Sequence, residues 1–135
     1  VLFRVTDVRE DAMSAAQTVA ILGASPDPER YAFKAQRLLK EHGHRVIPVN
    51  AKEAVIDGDA TVAELRDIKD AVDTLTLYVR PAISSRCREQ IEALKPRRVI
   101  FNPGTENGDL AAALRAAGIE TEEACTLVML RTGHF

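Results

Sequence analysis

Few of the 135 residues could do chemistry, and those that could stand after short apolar runs. Gly23-Ala24-Ser25 follows Val19-Ala20-Ile21-Leu22. Glycine lets a ligand approach the backbone, and Ser25 adds a hydroxyl. The helix expected next offers unpaired N–H groups and partial positive charge to a phosphate. The plain alternative is a turn that binds nothing. Arg30 and Lys34 lie near that helix start, where the dipole disfavours a cation by about 0.3–1 kcal/mol unless an anion neutralises it. Asp27 and Glu29 pull the other way, because acids at that end stabilise a helix unaided.

The dinucleotide fingerprint G-x-G-x-x-G is absent. Laid from Gly23, it puts Ser25 and Pro28 where the second and third glycines belong. The second apolar run, Val46-Ile47-Pro48-Val49, ends in Asn50, not in the carboxylate that would hold a ribose diol. Lys52 follows. A neutral residue plus a cation suits a phosphorylated ribose: the 3′-phosphate of coenzyme A, or the 2′-phosphate of NADP. A solvated loop lysine is the plain alternative. Tyr78-Val79-Arg80-Pro81 and Asn102-Pro103-Gly104 end two further runs at the same expected edge. Both can line a crevice with backbone groups and short side chains, or serve only as turns.

No catalytic or metal-ligating set accompanies these residues. Cys125 has no histidine beside it in sequence; His42 and His44 flank Gly43, at the far end of the first crossover, and His134 is next to the last residue. A buried structural thiol is the expectation for Cys125, and packing for Cys87. Paired carboxylates, H-E-x-x-H and a Walker lysine are all missing.

Five strands are expected to position the site, near residues 18–23, 45–50, 73–79, 98–101 and 119–121. Ala32, Ala35, Leu38 and Leu39 mark one face of the first crossover helix, and Gly43 its stop. Residues 51–59 read as a loop. Thr61-Val62-Ala63-Glu64 has the form of a capping box opening a short helix with Leu65 and Ile68. Pro81 opens a helix carrying Ile83, Cys87, Ile91 and Leu94 on one stripe. Asp109 is expected to cap a helix ending at Gly118, and residues 123–131 to form the last one. A further amphipathic helix is expected over Val8 to Ala16, within an extension of residues 1–17. The alternation predicts one domain over residues 1–135, a doubly wound α/β fold: a five-stranded parallel sheet with helices on both faces.

Composition narrows the classes. Hydrophobic residues are 46% and charged residues 28%, which is globular rather than disordered. A net charge of −2 with interspersed signs predicts no nucleic-acid surface. No apolar run approaches a membrane span. Val1 to Thr18 carries Arg4, Asp7, Arg9, Glu10 and Asp11 rather than a signal-peptide core. Two cysteines are too few for a disulfide framework. A soluble cytoplasmic protein is the expectation.

Together these pieces resemble the coenzyme-A-binding domain family, Rossmann-like proteins related to the CoA-binding part of succinyl-CoA synthetase. The resemblance rests on Val19 to Ser25 with Pro28-Glu29-Arg30-Tyr31, His42 to Asn50, Tyr78 to Pro81, and Phe101 to Gly104, and covers about residues 17–135. It implies CoA phosphates on Gly23, Ala24 and Ser25, with Arg30, Tyr31 and Lys34 nearby. It implies adenine and ribose contacts near Pro48, Asn50 and Lys52, and further contacts at Tyr78, Val79, Arg80 and Pro81 and at Asn102, Pro103 and Gly104. The synthetase's phosphorylated histidine and nucleotide-binding subunit have no counterpart here. The expectation is therefore a module that binds CoA or acyl-CoA without catalytic apparatus of its own, as a homodimer or with an unknown protein partner. An NADP-dependent reductase and a nucleotide-binding docking subunit are the alternatives.

Overall fold

The computed structural model describes residues 15–135. The helix expected over Val8 to Ala16 lies outside them, Ala15 and Ala16 apart, and those two are irregular. In chain order the elements are β1 (Thr18–Leu22), α1 (Tyr31–Glu41), β2 (Arg45–Val49), β3 (Val55–Ile56), β4 (Asp59–Ala60), a 3-10 turn (Leu65–Asp67), β5 (Thr74–Leu77), α2 (Pro81–Arg86), α3 (Arg88–Leu94), β6 (Arg98–Phe101), α4 (Gly108–Ala116), β7 (Glu120–Glu123) and α5 (Thr126–Arg131). Strands β2-β1-β5-β6-β7 form one parallel sheet in that order. The chain leaves β1 toward one edge and resumes at β5 on the other side, so the order reverses between β1 and β5.

The alternation within β1 shows how the layers form. Ala20 and Leu22 join Leu75, Leu77, Val99 and Phe101 beneath Leu65, Ile91, Leu110 and Leu114. Val19 and Ile21 face the other way, onto Ala32, Phe33 and Leu39 of α1, Ile56, and Leu130 of α5. Successive strand residues point to opposite faces, so each apolar run of β1 feeds both cores. Pro48 sits inside β2 without penalty. Its carbonyl accepts from Val62 on the outer side of the strand, so the donor that proline lacks belongs to that side too.

The local differences from expectation have identifiable causes. Thr61 and Val62 do not open a helix. Val62 N–H donates to Pro48, Asn50 N–H donates to Val62, and Val62 bridges Val49 as a short extension of the sheet edge. The turn of helix starts later, at Leu65, with Asp67 accepting from Glu64 N–H. Residues 51–59 are not all loop: β3 and β4 pair around Asp57 (φ 48°) and Gly58 (φ 82°). Asp-Gly is a hairpin sequence, because both central residues of such a turn need positive φ. Gln36 pins this hairpin by donating to the Ile56 carbonyl and to Asp59, and Lys40 pairs with Asp57 and Asp59 at 3.0 and 2.8 Å. The expected long helix from Pro81 breaks at Cys87, whose N–H turns back to Ser84. Asn107, not Asp109, caps α4: its Oδ1 accepts from Leu110 N–H, while its Nδ2 donates to Ser84 and Ser85. Strand β7 begins one residue late, since Ile119 turns into the core and the edge strand itself is Glu-Thr-Glu-Glu. The final helix begins at Thr126 with Cys125 at its cap position.

Candidate functional site

Strand order places a crevice where connections diverge from neighbouring strands, at the carboxyl ends of β1 and β5. An open cleft of about 450 Å³ lies there, within the size range of small-molecule sites. Three segments build it. Gly23, Ser25, Arg30, Tyr31 and Ala32 come from the β1–α1 connection. Tyr78, Val79 and Arg80 come from the end of β5, and Pro103, Gly104 and Thr105 from the end of β6. Two arginines line the cleft, and among the described residues no acidic residue does.

Gly23 is fixed by its surroundings. Its φ is +91°, and a Cβ there would lie 2.8 Å from the Tyr78 carbonyl oxygen and from Val79 Cγ1. The close approach of the first turn to β5 therefore requires glycine before any ligand is considered. Tyr78 N–H donates to Leu22 across the same junction at 2.8 Å. Ser25 Oγ accepts from Asp27 N–H, and Asp27 Oδ1 in turn accepts from Glu29 N–H, so the Asp27 carboxylate organises the connection instead of capping the helix. Helix α1 has no acidic residue in its first turn, and Arg30 at its N-cap makes no side-chain cap bond. Its first N–H groups are left for water or a ligand. Arg30 makes only a loose contact of 3.9 Å with Asp27, both exposed.

The other residues expected at the site divide among different places. Ala24 is buried and turns its carbonyl to Asn50. Lys34 lies one turn along α1, in a separate hollow beside Pro28, Phe33 and Leu127, with its ammonium 5.7 Å from the Tyr31 ring centroid. Pro48 is buried in β2. Asn50 bonds within the protein on both ends of its carboxamide. Lys52 is exposed beyond the end of β2 and is not among the residues lining the cleft. Pro81 is exposed at the first position of α2. Asn102 is only 2% exposed: Nδ2 donates to Thr76 and to the Leu77 carbonyl, and Oδ1 accepts from Thr126 N–H. It ties β5, β6 and the start of α5 together beneath the cleft. Thr105, absent from the sequence expectation, lines the cleft while its hydroxyl donates to the Asn102 carbonyl. Nothing in the local sequence marks it, because its place depends on the turn at Gly104, φ +90°.

Tyr78 packs its ring against the core under α1, and its hydroxyl is buried without a hydrogen-bond partner. Burial pushes its phenol up to about 12, against the opposing influence of the neighbouring Thr126 and Thr76 hydroxyls. The phenol therefore keeps its proton at neutral pH. Cys125 is a free, half-buried thiol, more open than expected, and Cys87 packs against the core with its thiol pushed up by burial. Among the described residues no group of three or more His, Cys, Asp or Glu could hold a metal ion. Among them, too, no helix is long and apolar enough to cross a membrane.

The geometry is thus that of a Rossmann-like crevice at the switch point of a parallel sheet. Residues 17–131 match the CoA binding domain family, and the chain belongs to it. A crystal structure of an uncharacterised protein is 46% identical and superposes with a TM-score of 0.85, covering 90% of this chain and 99% of that one. A Thermus thermophilus protein of known structure is 33% identical with a TM-score of 0.83, over 96% and 98% of the two chains. The alpha subunit of acetate–CoA ligase (ADP-forming) II from Pyrococcus furiosus is 32% identical over 62 residues. Those residues are 45% of this chain and only 14% of that subunit.

Proposed function

We propose that the chain binds coenzyme A or an acyl-CoA at this cleft and carries no catalytic apparatus of its own. One observation carries the reading: the cleft at the switch point of the sheet is lined by two arginines and, among the described residues, by no acidic residue, beside an uncapped helix start. A pyrophosphate matches such a lining, because free N–H groups, a positive helix end and guanidiniums all favour an anion. In this reading the pyrophosphate lies on Gly23 and Ser25 with Arg30. The pantetheine arm runs past Val79 and Pro103 toward Arg80, and the adenosine crosses the first turn toward Lys52. Asn50 and Asn102 shape the walls, since their side chains already bond within the protein. The similarity to part of a ligase subunit fits a role as the CoA-holding piece of a larger assembly in the cytoplasm, with the acyl chemistry done by other parts.

The test is calorimetric titration of the purified protein with CoA, dephospho-CoA and NADP, with melting temperature followed in parallel. CoA should bind and raise the melting temperature by mass action. NADP binding more tightly than CoA would reverse the assignment, and no response to any of the three would leave a docking subunit as the better reading.

A further inference from the structure

We infer that Asn50 is a positioning residue that aims a backbone N–H of the phosphate turn into the cleft, a role that rests on the coenzyme-A reading above. Asn50 Nδ2 donates to the Ala24 carbonyl at 3.0 Å. Its Oδ1 accepts from Lys52 N–H at 2.7 Å and Glu53 N–H at 2.8 Å. The carboxamide therefore joins the loop after β2 to the turn after β1, and its orientation follows from its partners: two donors meet Oδ1 and an acceptor meets Nδ2.

The consequence lies in the next peptide unit. The Ala24 carbonyl and the Ser25 N–H belong to one planar trans peptide, so they point in opposite directions. Holding the carbonyl toward β2 directs the Ser25 N–H away from β2. Strand β5 and the cleft lie on that side of β1, and Ser25 lines the cleft. Ser25 N–H donates to no backbone acceptor among the described residues, while its hydroxyl oxygen accepts from Asp27 N–H. It is a donor kept free for a ligand oxygen. The end of β2, where dinucleotide-binding folds place a ribose-reading acid, here serves the phosphate turn instead.

The test compares native protein with Asn50→Ala and Asn50→Asp. The aspartate keeps the acceptor for Lys52 and Glu53 but sets a carboxylate against the Ala24 carbonyl. CoA affinity is read by calorimetry, and the Ser25 amide by its NMR shift and hydrogen exchange. In native protein that amide should exchange fast without ligand, and should shift and become protected when CoA binds. Both variants should bind CoA at least tenfold more weakly and lose the Ser25 response. A merely structural role would lower melting temperature but leave that response in place, and such a result would overturn the inference. If the variants do not fold, the native amide decides alone: protection before ligand, or no response on binding, overturns it. Native protein that fails to bind CoA would sink the coenzyme-A reading itself, and this role with it.

Discussion

Replacing Gly23 by alanine separates what the turn owes to the fold from what it owes to a ligand. The added Cβ would meet the Tyr78 carbonyl oxygen and Val79 Cγ1 at 2.8 Å, and the Tyr78 carbonyl carbon at 2.9 Å. Two of those three atoms are backbone of the central strand's end, so relief requires parting the β1–β5 junction. Left-handed backbone costs a non-glycine residue about 1–2 kcal/mol. Overpacking a tight site adds about 1–3 kcal/mol. The two together come to about 3 kcal/mol, a large part of the roughly 5–15 kcal/mol that holds a domain of this kind. Urea unfolding of the ligand-free variant measures this directly, and heat should unfold it about 10 °C earlier. The loss appears without any nucleotide present, because the clash is with protein. A ligand-free variant within about 0.5 kcal/mol of native would mean that the turn does not lie against Tyr78, and the cleft drawn from that contact would fall with it.

Three further outcomes follow from particular contacts. Asn102→Ala should cost about 3 kcal/mol in urea unfolding, because it leaves the buried Leu77 carbonyl and Thr126 N–H without these partners; a change under 1 kcal/mol would show that the bridge is not maintained. His44 Nδ1 accepts from Gln17 N–H at 3.0 Å, and burial, then His42 and Arg98, hold the imidazole below its ordinary value. A depressed imidazole contributes stability above its unfolded value of about 6.5, and that contribution is lost as pH falls through the folded value. The urea midpoint should therefore drop below about pH 6.5, and His44→Gln should remove that part of the slope; an unchanged slope counts against the bond. Lys52→Ala should weaken CoA more than dephospho-CoA by about 1–3 kcal/mol in calorimetric titration, the loss of one charge-assisted bond to the ribose phosphate; equal losses would take Lys52 off that phosphate.

What the sequence made legible was whatever a short stretch decides by itself. The run Val19 to Leu22 had to be buried on both sides, and two such runs with one amphipathic helix between them can fold back only as a parallel unit. Strand positions and the cleft-forming turns follow from that. The errors fall where a residue's partner is distant in sequence. Thr61 resembled a helix cap because nothing nearby shows that Val62 would add to the edge beside Val49. Asp109 resembled one because Asn107's bonds to Ser84 and Ser85, more than twenty residues away, are invisible in a local window. The Asp57-Gly58 hairpin and the break at Cys87 are local by contrast, since each turns on bonds within a few residues. Asn50 and Asn102 show the same limit at the site. An exposed asparagine at a strand end and a carboxamide bonded on both sides have the same sequence. Only the approach of Ala24, Leu77 and Thr126 turns them into struts. Polar residues at the ends of parallel strands therefore divide into two kinds, those that meet a ligand and those that hold the loops that do. The difference is measurable, because a strut removed lowers stability with no ligand present, while a contact removed changes only binding. By that criterion the Asn102→Ala and Lys52→Ala variants should part: the first should lose stability with no ligand present, and the second should lose only CoA affinity.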